Sequence, residues 1–361
     1  MLNRLIATII SFAAFMAVNA QGICTINGHI TDSKLENGKA IKKVYLMRTD
    51  EFGRQTEVAE AKVKKGNYTF SYKLAQNEPV MMYTITGFDK NNCIELFIEP
   101  GEVTINTPKA IEPGKSKVTG TITNDTYSEY KDILEKYEAT DAAGIIKKES
   151  ERIKFLIEHN ASPITPLEME RSVMPYTTEA YAEQMVNSIA MELHSHPYYT
   201  SFRNAMLARN LKVGNEIPDI VIPMVNGTSK RITDYRGKYI ILDFWASSCQ
   251  KSMETRETLK ELYEIIKDKQ DQFVIISLSL DSNADSWKNA IQSEGMNKEG
   301  WVNGCDTTGT TIKFFGAKNT PRIVFVEPEG RAISLNMSKN DIIERVEQIL
   351  MGDLYYLDQE K

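Results

Sequence analysis

Asp243-Phe244-Trp245-Ala246-Ser247-Ser248-Cys249-Gln250-Lys251-Ser252 joins two kinds of periodicity. Upstream, Ile240 to Phe244 is a short apolar run broken only by Asp243, as a strand buried on both faces requires. Downstream, Thr255 to Lys267 repeats apolar residues every three to four positions, which predicts an amphipathic helix. Cys249 therefore falls at the start of a helix. There the free N–H groups and the positive end of the helix dipole favour an anion, so its thiol is expected to ionise more readily than a free cysteine. Lys251 adds a cation nearby. A buried core cysteine is the structural alternative.

Working outward, apolar runs at Phe273 to Leu280 and Ile323 to Val326 alternate with helical patterns near Asp285 to Gln292 and Asp341 to Met351. Pro328-Glu329-Gly330 reads as a hairpin turn leading to Arg331 to Leu335. Residues 213–361 are thus expected to form an α/β domain with a central mixed sheet. Residues 21–120 read differently. Lys43 to Arg48, Tyr68 to Tyr72, Met81 to Ile85 and Cys93 to Ile98 are short β-type runs, separated by Asn37-Gly38, Gly66-Asn67 and Pro100-Gly101. That predicts a small antiparallel sandwich or barrel. Its lone histidine, His29, reads as a surface residue. Residues 121–212 are expected to be a helical connector. Tyr127, Tyr130, Leu134 and Tyr137 share one face, Tyr181, Met185, Ile189 and Leu193 another, and Thr165 to Glu168 resembles a capping box.

The 361 residues suffice for about two domains at roughly 150 each, and 42% hydrophobic with 25% charged residues describes a folded globular chain. Forty-three Lys+Arg against 49 Asp+Glu, with no basic stripe, leave no electrostatic footprint for nucleic acid. Residues 1–20 combine Arg4, an apolar core from Leu5 to Val18 and small residues at Val18-Asn19-Ala20, which reads as a secretory signal peptide. That core is shorter than the ~20 residues of a spanning helix, so no stable membrane insertion is expected after cleavage. The mature chain is expected in the periplasm or cell envelope. His194-Ser195-His196 lacks a third ligand, and Asp281 to Asp285 lacks the glycine and bidentate glutamate of a calcium loop, so no metal is expected. No cofactor is expected either. Cys24, Cys93, Cys249 and Cys305 are too few to staple a chain of this size.

The segment around Cys249 resembles the thioredoxin-like superfamily, specifically the TlpA/ResA type of exported thiol-disulfide oxidoreductases, whose active site reads F-W-A-x-W-C-x-x-C. Phe244, Trp245, Ala246 and Cys249 match. Gly214 to Asp219, Gly237-Lys238, Phe315 to Pro321 and Glu327 to Gly330 match further motifs in the same order. The resemblance implies a thioredoxin fold for the C-terminal domain, with Cys249 as attacking cysteine and Pro321 as the cis-proline facing it. Trp245, Thr320 and Pro321 would bind substrate, with Thr320 pairing to an extended chain. Asp243 would be the buried carboxylate that handles a thiol proton, or else an ordinary strand-end residue. The whole architecture resembles exported proteins of Gram-negative bacteria whose first domain has no established function, here on Phe97 to Glu102.

Two departures limit what carries over. Ser252 stands where the family has its resolving cysteine, and Ser248 replaces a tryptophan. A C-x-x-C cycle is excluded, because a serine hydroxyl cannot displace a thiol. Ser252 can still donate a hydrogen bond to the Cys249 thiolate. Cys305 is the candidate for a displaced resolving thiol, and Cys24 with Cys93 the candidate for a structural disulfide. Peroxidase chemistry is disfavoured, since Leu242 and Ala246 occupy the proline and threonine positions of a peroxiredoxin. The expected function is a monothiol thiol-disulfide oxidoreductase, exchanging with protein or small-molecule thiols and disulfides of the envelope and reset by a reductant. A non-catalytic thioredoxin-fold binding module is the alternative.

Overall fold

The computed structural model describes residues 22–352 apart from 50–54, 89–91, 138–140, 174–177, 210, 225, 308 and 316–319. The signal peptide expected over Met1 to Ala20 lies outside them. No helix among the described residues is long and apolar enough to cross a membrane. The chain divides into two units, Met1–Pro175 with Asn187–Tyr199 and Tyr176–Val186 with Thr200–Lys361, so the stretch 121–212 is shared between them.

In the first unit, β1 (Ile23–Asp32) alternates cleanly, with Cys24, Ile26, Gly28 and Ile30 buried between outward-facing neighbours. This period of two makes one face of a strand apolar. With β2 (Lys43–Thr49), β3 (Gln55–Lys62), β4 (Asn67–Lys73), β5 (Met81–Thr86), β6 (Ile94–Ile98), β7 (Gly101–Lys109) and β8 (Lys117–Thr119) it builds two sheets, ordered β4-β1-β7-β8 and β3-β2-β5-β6. Ile26 and Val103 from one and Leu46 and Ile85 from the other belong to a single core. The expected antiparallel pairing needs one correction: β1 and β7 run parallel, which the long stretch of chain between them permits.

The motif Phe97 to Glu102 fastens this core to α1 (Ile122–Lys136). Asn124 accepts from the Phe97 amide at 2.8 Å and donates to its carbonyl at 2.8 Å, while the Glu99 carboxylate accepts from the Thr123 amide at 2.7 Å. α2 (Ala142–Glu158) and α3 (Ile164–Glu168) follow. The capping box expected at Thr165 is not formed. Helix α3 starts at Ile164, and Thr165 Oγ1 instead donates to the carbonyls of Leu156 and His159 at 3.0 and 2.7 Å. α4 (Glu179–Ser188) stops before Ile189 and Leu193, and α5 (Pro197–Arg209) completes the helical stretch.

The second unit holds β9 (Val221–Pro223), β10 (Ser229–Arg231), β11 (Tyr239–Trp245), α6 (Gln250–Ile266), β12 (Phe273–Ser279), α7 (Ala284–Ser293), β13 (Trp301–Cys305), α8 (Thr310–Phe314), β14 (Arg322–Val326), β15 (Ala332–Ser334) and α9 (Lys339–Leu350). Its five-stranded sheet is ordered β13-β12-β11-β14-β15. The first three strands run parallel, and β14 and β15 are antiparallel as the hairpin reading required. β11 is buried along both faces. Ile240, Leu242 and Phe244 join one core, and Ile241 and Trp245 join the other with Leu259 and Leu262 of α6. Asp243 shares the parity of the second set, which puts a carboxylate on the face that α6 covers.

Candidate active site

Cys249 is the N-cap of α6. Its carbonyl accepts from the Met253 amide at 3.3 Å, and its own amide donates to Ala246 at 3.1 Å. Its Sγ lies 3.6 Å from the Thr320 carbonyl oxygen, and the Thr320–Pro321 peptide is cis. The Ser252 hydroxyl, three residues on and on the same helical face, holds the Cys249 thiol below its ordinary value. Slight burial opposes this, and the Ser252 amide, Thr320 and the Lys251 amide reinforce it. Lys251 thus acts through its backbone N–H rather than the ammonium the sequence pointed to. Ser252 Oγ is buried and makes no hydrogen bond of ordinary geometry, which leaves it free to turn toward a thiolate as the charge forms.

Beneath this surface lies a buried polar layer. Asp243 has no exposure; its Oδ2 accepts from Ser277 Oγ at 3.1 Å, and Ser277 Oγ in turn accepts from Trp301 Nε1 at 3.0 Å. Burial pushes the Asp243 carboxyl up to about 7, against the lowering pull of Ser277 and of the Arg256 guanidinium. Arg256, seven positions after Cys249 on the inward face of α6, is 1% exposed and stacks on the Trp245 ring at 4.7 Å. Its Nε is 3.9 Å from Glu294 Oε2. Sequence reasoning missed Arg256, although its i+7 spacing from Cys249 signals the shared face. Trp245 requires a correction. At 0% exposure beneath α6 it cannot line a substrate groove, because inward parity at the end of β11 commits its ring to the core.

The loop between β11 and α6 is held by Asp281, whose carboxylate accepts from the Ser247 amide and hydroxyl. Sequence reasoning places Asp281 only in a calcium-like loop and gives no sign of this role.

All four cysteines are free. Cys305 ends β13 and pairs in register with Ser279, which pairs with Trp245. It therefore sits two strand spacings, ~10 Å, to one side of β11. Cys249 faces Thr320, which leads into β14 on the other side. Cys305 Sγ points to the Asp281 carbonyl at 3.4 Å, and burial pushes its thiol up to about 11. The sheet order thus separates the two thiols instead of bringing them together. Cys24 is buried on β1, while Cys93 precedes β6 in the other sheet; they are not joined, and burial raises both thiols.

Residues 237–332, which contain the Cys249 loop and the cis-Pro321 hairpin, match the family model described as thioredoxin-like. The C-terminal domain is thioredoxin-like. Residues 24–127, the two β-sheets and the start of α1, match a domain of unknown function, DUF4369. Among curated relatives, this chain is 26% identical over 156 residues to thiol-disulfide oxidoreductase ResA of Geobacillus thermodenitrificans, covering 42% of this chain and 86% of the relative. It is 25% identical over 123 residues to ResA of Bacillus thuringiensis subsp. konkukian, covering 34% and 68%. A solved thioredoxin domain of a thiol-disulfide oxidoreductase from Bacteroides vulgatus is similar at 26% identity and a TM-score of 0.36, covering 39% of this chain and 99% of that one.

Proposed function

We propose that this protein is a thiol-disulfide oxidoreductase of monothiol type, working in the cell envelope with Cys249 as its nucleophile. The observation that carries the reading is a half-buried thiol at a helix N-terminus, lowered by Ser252 and opposite the Thr320 carbonyl beside cis-Pro321. The Cys249 thiolate attacks one sulfur of a substrate disulfide. A Cys249–substrate bond forms, the substrate S–S bond breaks, and the other sulfur leaves as a thiolate. Thr320 and Pro321 hold the substrate chain, and in this reading the buried Asp243, whose carboxyl burial pushes up to about 7, exchanges a proton with the site. Ser252 cannot displace the bound sulfur. Resolution therefore comes from a second thiol of the substrate, which completes an isomerisation, or from an envelope thiol reductant, which completes a reduction. In isomerisation the second substrate thiolate attacks the substrate sulfur bound to Cys249, a new substrate disulfide forms and Cys249 leaves as thiolate. In reduction the reductant thiolate attacks the Cys249 sulfur and the substrate leaves as thiolate; a second thiol of the reductant then displaces Cys249 and leaves the reductant as a disulfide.

The test is capture. Reduced protein mixed with a peptide disulfide should accumulate a one-to-one adduct at Cys249, read by intact mass and peptide mapping, and released by added thiol. Cys249→Ala should form none. An envelope pull-down with partner recovery and redox phenotype unchanged in Cys249→Ala would instead support the binding-module alternative, for which the serines at 248 and 252 are the motive.

A further inference from the structure

We propose that Asp281 is a positioning residue, whose carboxylate clamps the loop Ala246–Ser248 and so keeps the Cys249 thiol at the start of α6 and opposite Thr320. The inference rests on the reading of Cys249 as the nucleophile and names what holds it in place. Both carboxylate oxygens of Asp281 lie 3.1 Å from the Ser247 amide, and Oδ1 also accepts from Ser247 Oγ at 2.8 Å. Ser247 is two residues before Cys249, and the link from loop to helix continues through the Cys249 amide on Ala246 O.

Asp281 is itself immobilised from three sides. Oδ2 accepts from Ser279 Oγ at 2.7 Å, its amide donates to the same hydroxyl at 3.0 Å, and its carbonyl faces Cys305 Sγ at 3.4 Å. The neighbouring Leu280 amide donates to Trp245 O at 2.9 Å, and the Asp306 amide to Ser279 O at 2.8 Å. The ends of β11, β12 and β13 are thereby tied at the root of the clamp. Cys305, unsuited to resolve Cys249, has a part in this arrangement as a thiol seated on the Asp281 carbonyl. A carboxylate near a thiolate would by charge alone oppose ionisation. Here its lone pairs are occupied by the Ser247 and Ser279 donors, which is the disposition expected of a tether rather than of a base.

The experiment follows alkylation of Cys249 by iodoacetamide against pH in the full chain, with thermal unfolding as the check on folding. Asp281→Ala should slow alkylation at pH 6 by about tenfold and move the profile toward that of a free cysteine. Ser247→Ala, a change in a half-exposed loop, should move it in the same direction by less, and Ser247→Thr should restore the wild-type profile. The double Ser247→Ala, Asp281→Ala variant should be no slower than Asp281→Ala alone. Folded single variants that keep the wild-type profile, with any change confined to the unfolding temperature, would overturn the positioning role. A wild-type profile already like that of a free cysteine would overturn the nucleophile reading itself.

Discussion

Asp243 carries the sharpest residue-scale prediction. Its carboxyl titrates at about 7 in the folded protein, because burial disfavours the charge, against about 3.9 in an unfolded chain. Between these values the unfolded state releases a proton that the native state keeps, so stability falls as pH rises through this window. At about 1.4 kcal/mol per unit the loss amounts to a few kcal/mol. Urea unfolding at pH 4.5 and pH 8 should show a larger fall for wild type than for Asp243→Asn; equal falls would refute the coupling. The thiols separate just as clearly. Cys305 is buried and pushed up to about 11, whereas Cys249 is lowered, so native protein at pH 7 should be alkylated at Cys249 first, with Cys305 slower by at least ~100-fold. Comparable rates would mean that Cys305 reaches solvent. Cys249, Ser252 and Pro321 were legible because a motif within ten residues, or one proline after a short spacer, encodes them. Asp281 was not, because its partner Ser247 is 34 residues away, and the spacing of Arg256 marks its helical face but not the Trp245 ring it stacks on, which meets it only once α6 packs on β11.

At the scale of elements, α6 presents positions 249 and 252 on one face one turn apart, the spacing at which a second thiol can reach the first. Ser252→Cys should therefore abolish accumulation of the Cys249 adduct, with an intramolecular disulfide between Cys249 and the introduced thiol appearing by mass mapping. Persistence of the adduct would show that the N-terminal turn of α6 cannot close a dithiol. Strand β13 sets a second constraint. A Cβ on Gly304 would lie 2.4 Å from Ile222 Cγ2 and 3.1 Å from Pro223 O, so only glycine lets β9 approach that closely. Gly304→Ala should destabilise the protein by about 1–3 kcal/mol in urea unfolding, the usual cost of overpacking. Strands β2, β4, β5, β6, β11, β12 and β14 and helices α6, α7 and α9 were foreseen because each has a local pattern, alternation for β4, an apolar run for β12 and a period of three to four for α6. The parallel pairing of β1 with β7 had no such signal, since register between strands so far apart in sequence is chosen by the shared core and not by either strand alone.

Across the whole molecule, stability comes from separate hydrophobic cores with no covalent staple among the free cysteines. Reductant should accordingly leave the thermal midpoint of recombinant protein unchanged, and denatured unreduced protein should expose four alkylatable thiols. A fall of several degrees with dithiothreitol would reveal a structural disulfide after all. The amino-acid order by itself determined a β-rich first part, a helical middle and a thioredoxin-like end, and it put one thiol at a helix start with serine where a second would be. The β-rich part, the helical middle and the thiol at a helix start are consequences of periodicity and of chemistry within a few residues, whereas the thioredoxin-like end and the serine in the second thiol's place were what the resemblance of the Cys249 segment implied. Only the tertiary structure decided that Trp245 faces the core under Arg256, that Cys305 lies on the far side of β11 from the Thr320 loop, and that Asp281 holds the loop before Cys249. Each depends on strand order and on which face a residue presents once the sheet is assembled, and burial, by excluding water from Asp243 and Cys305, then fixes how those groups ionise.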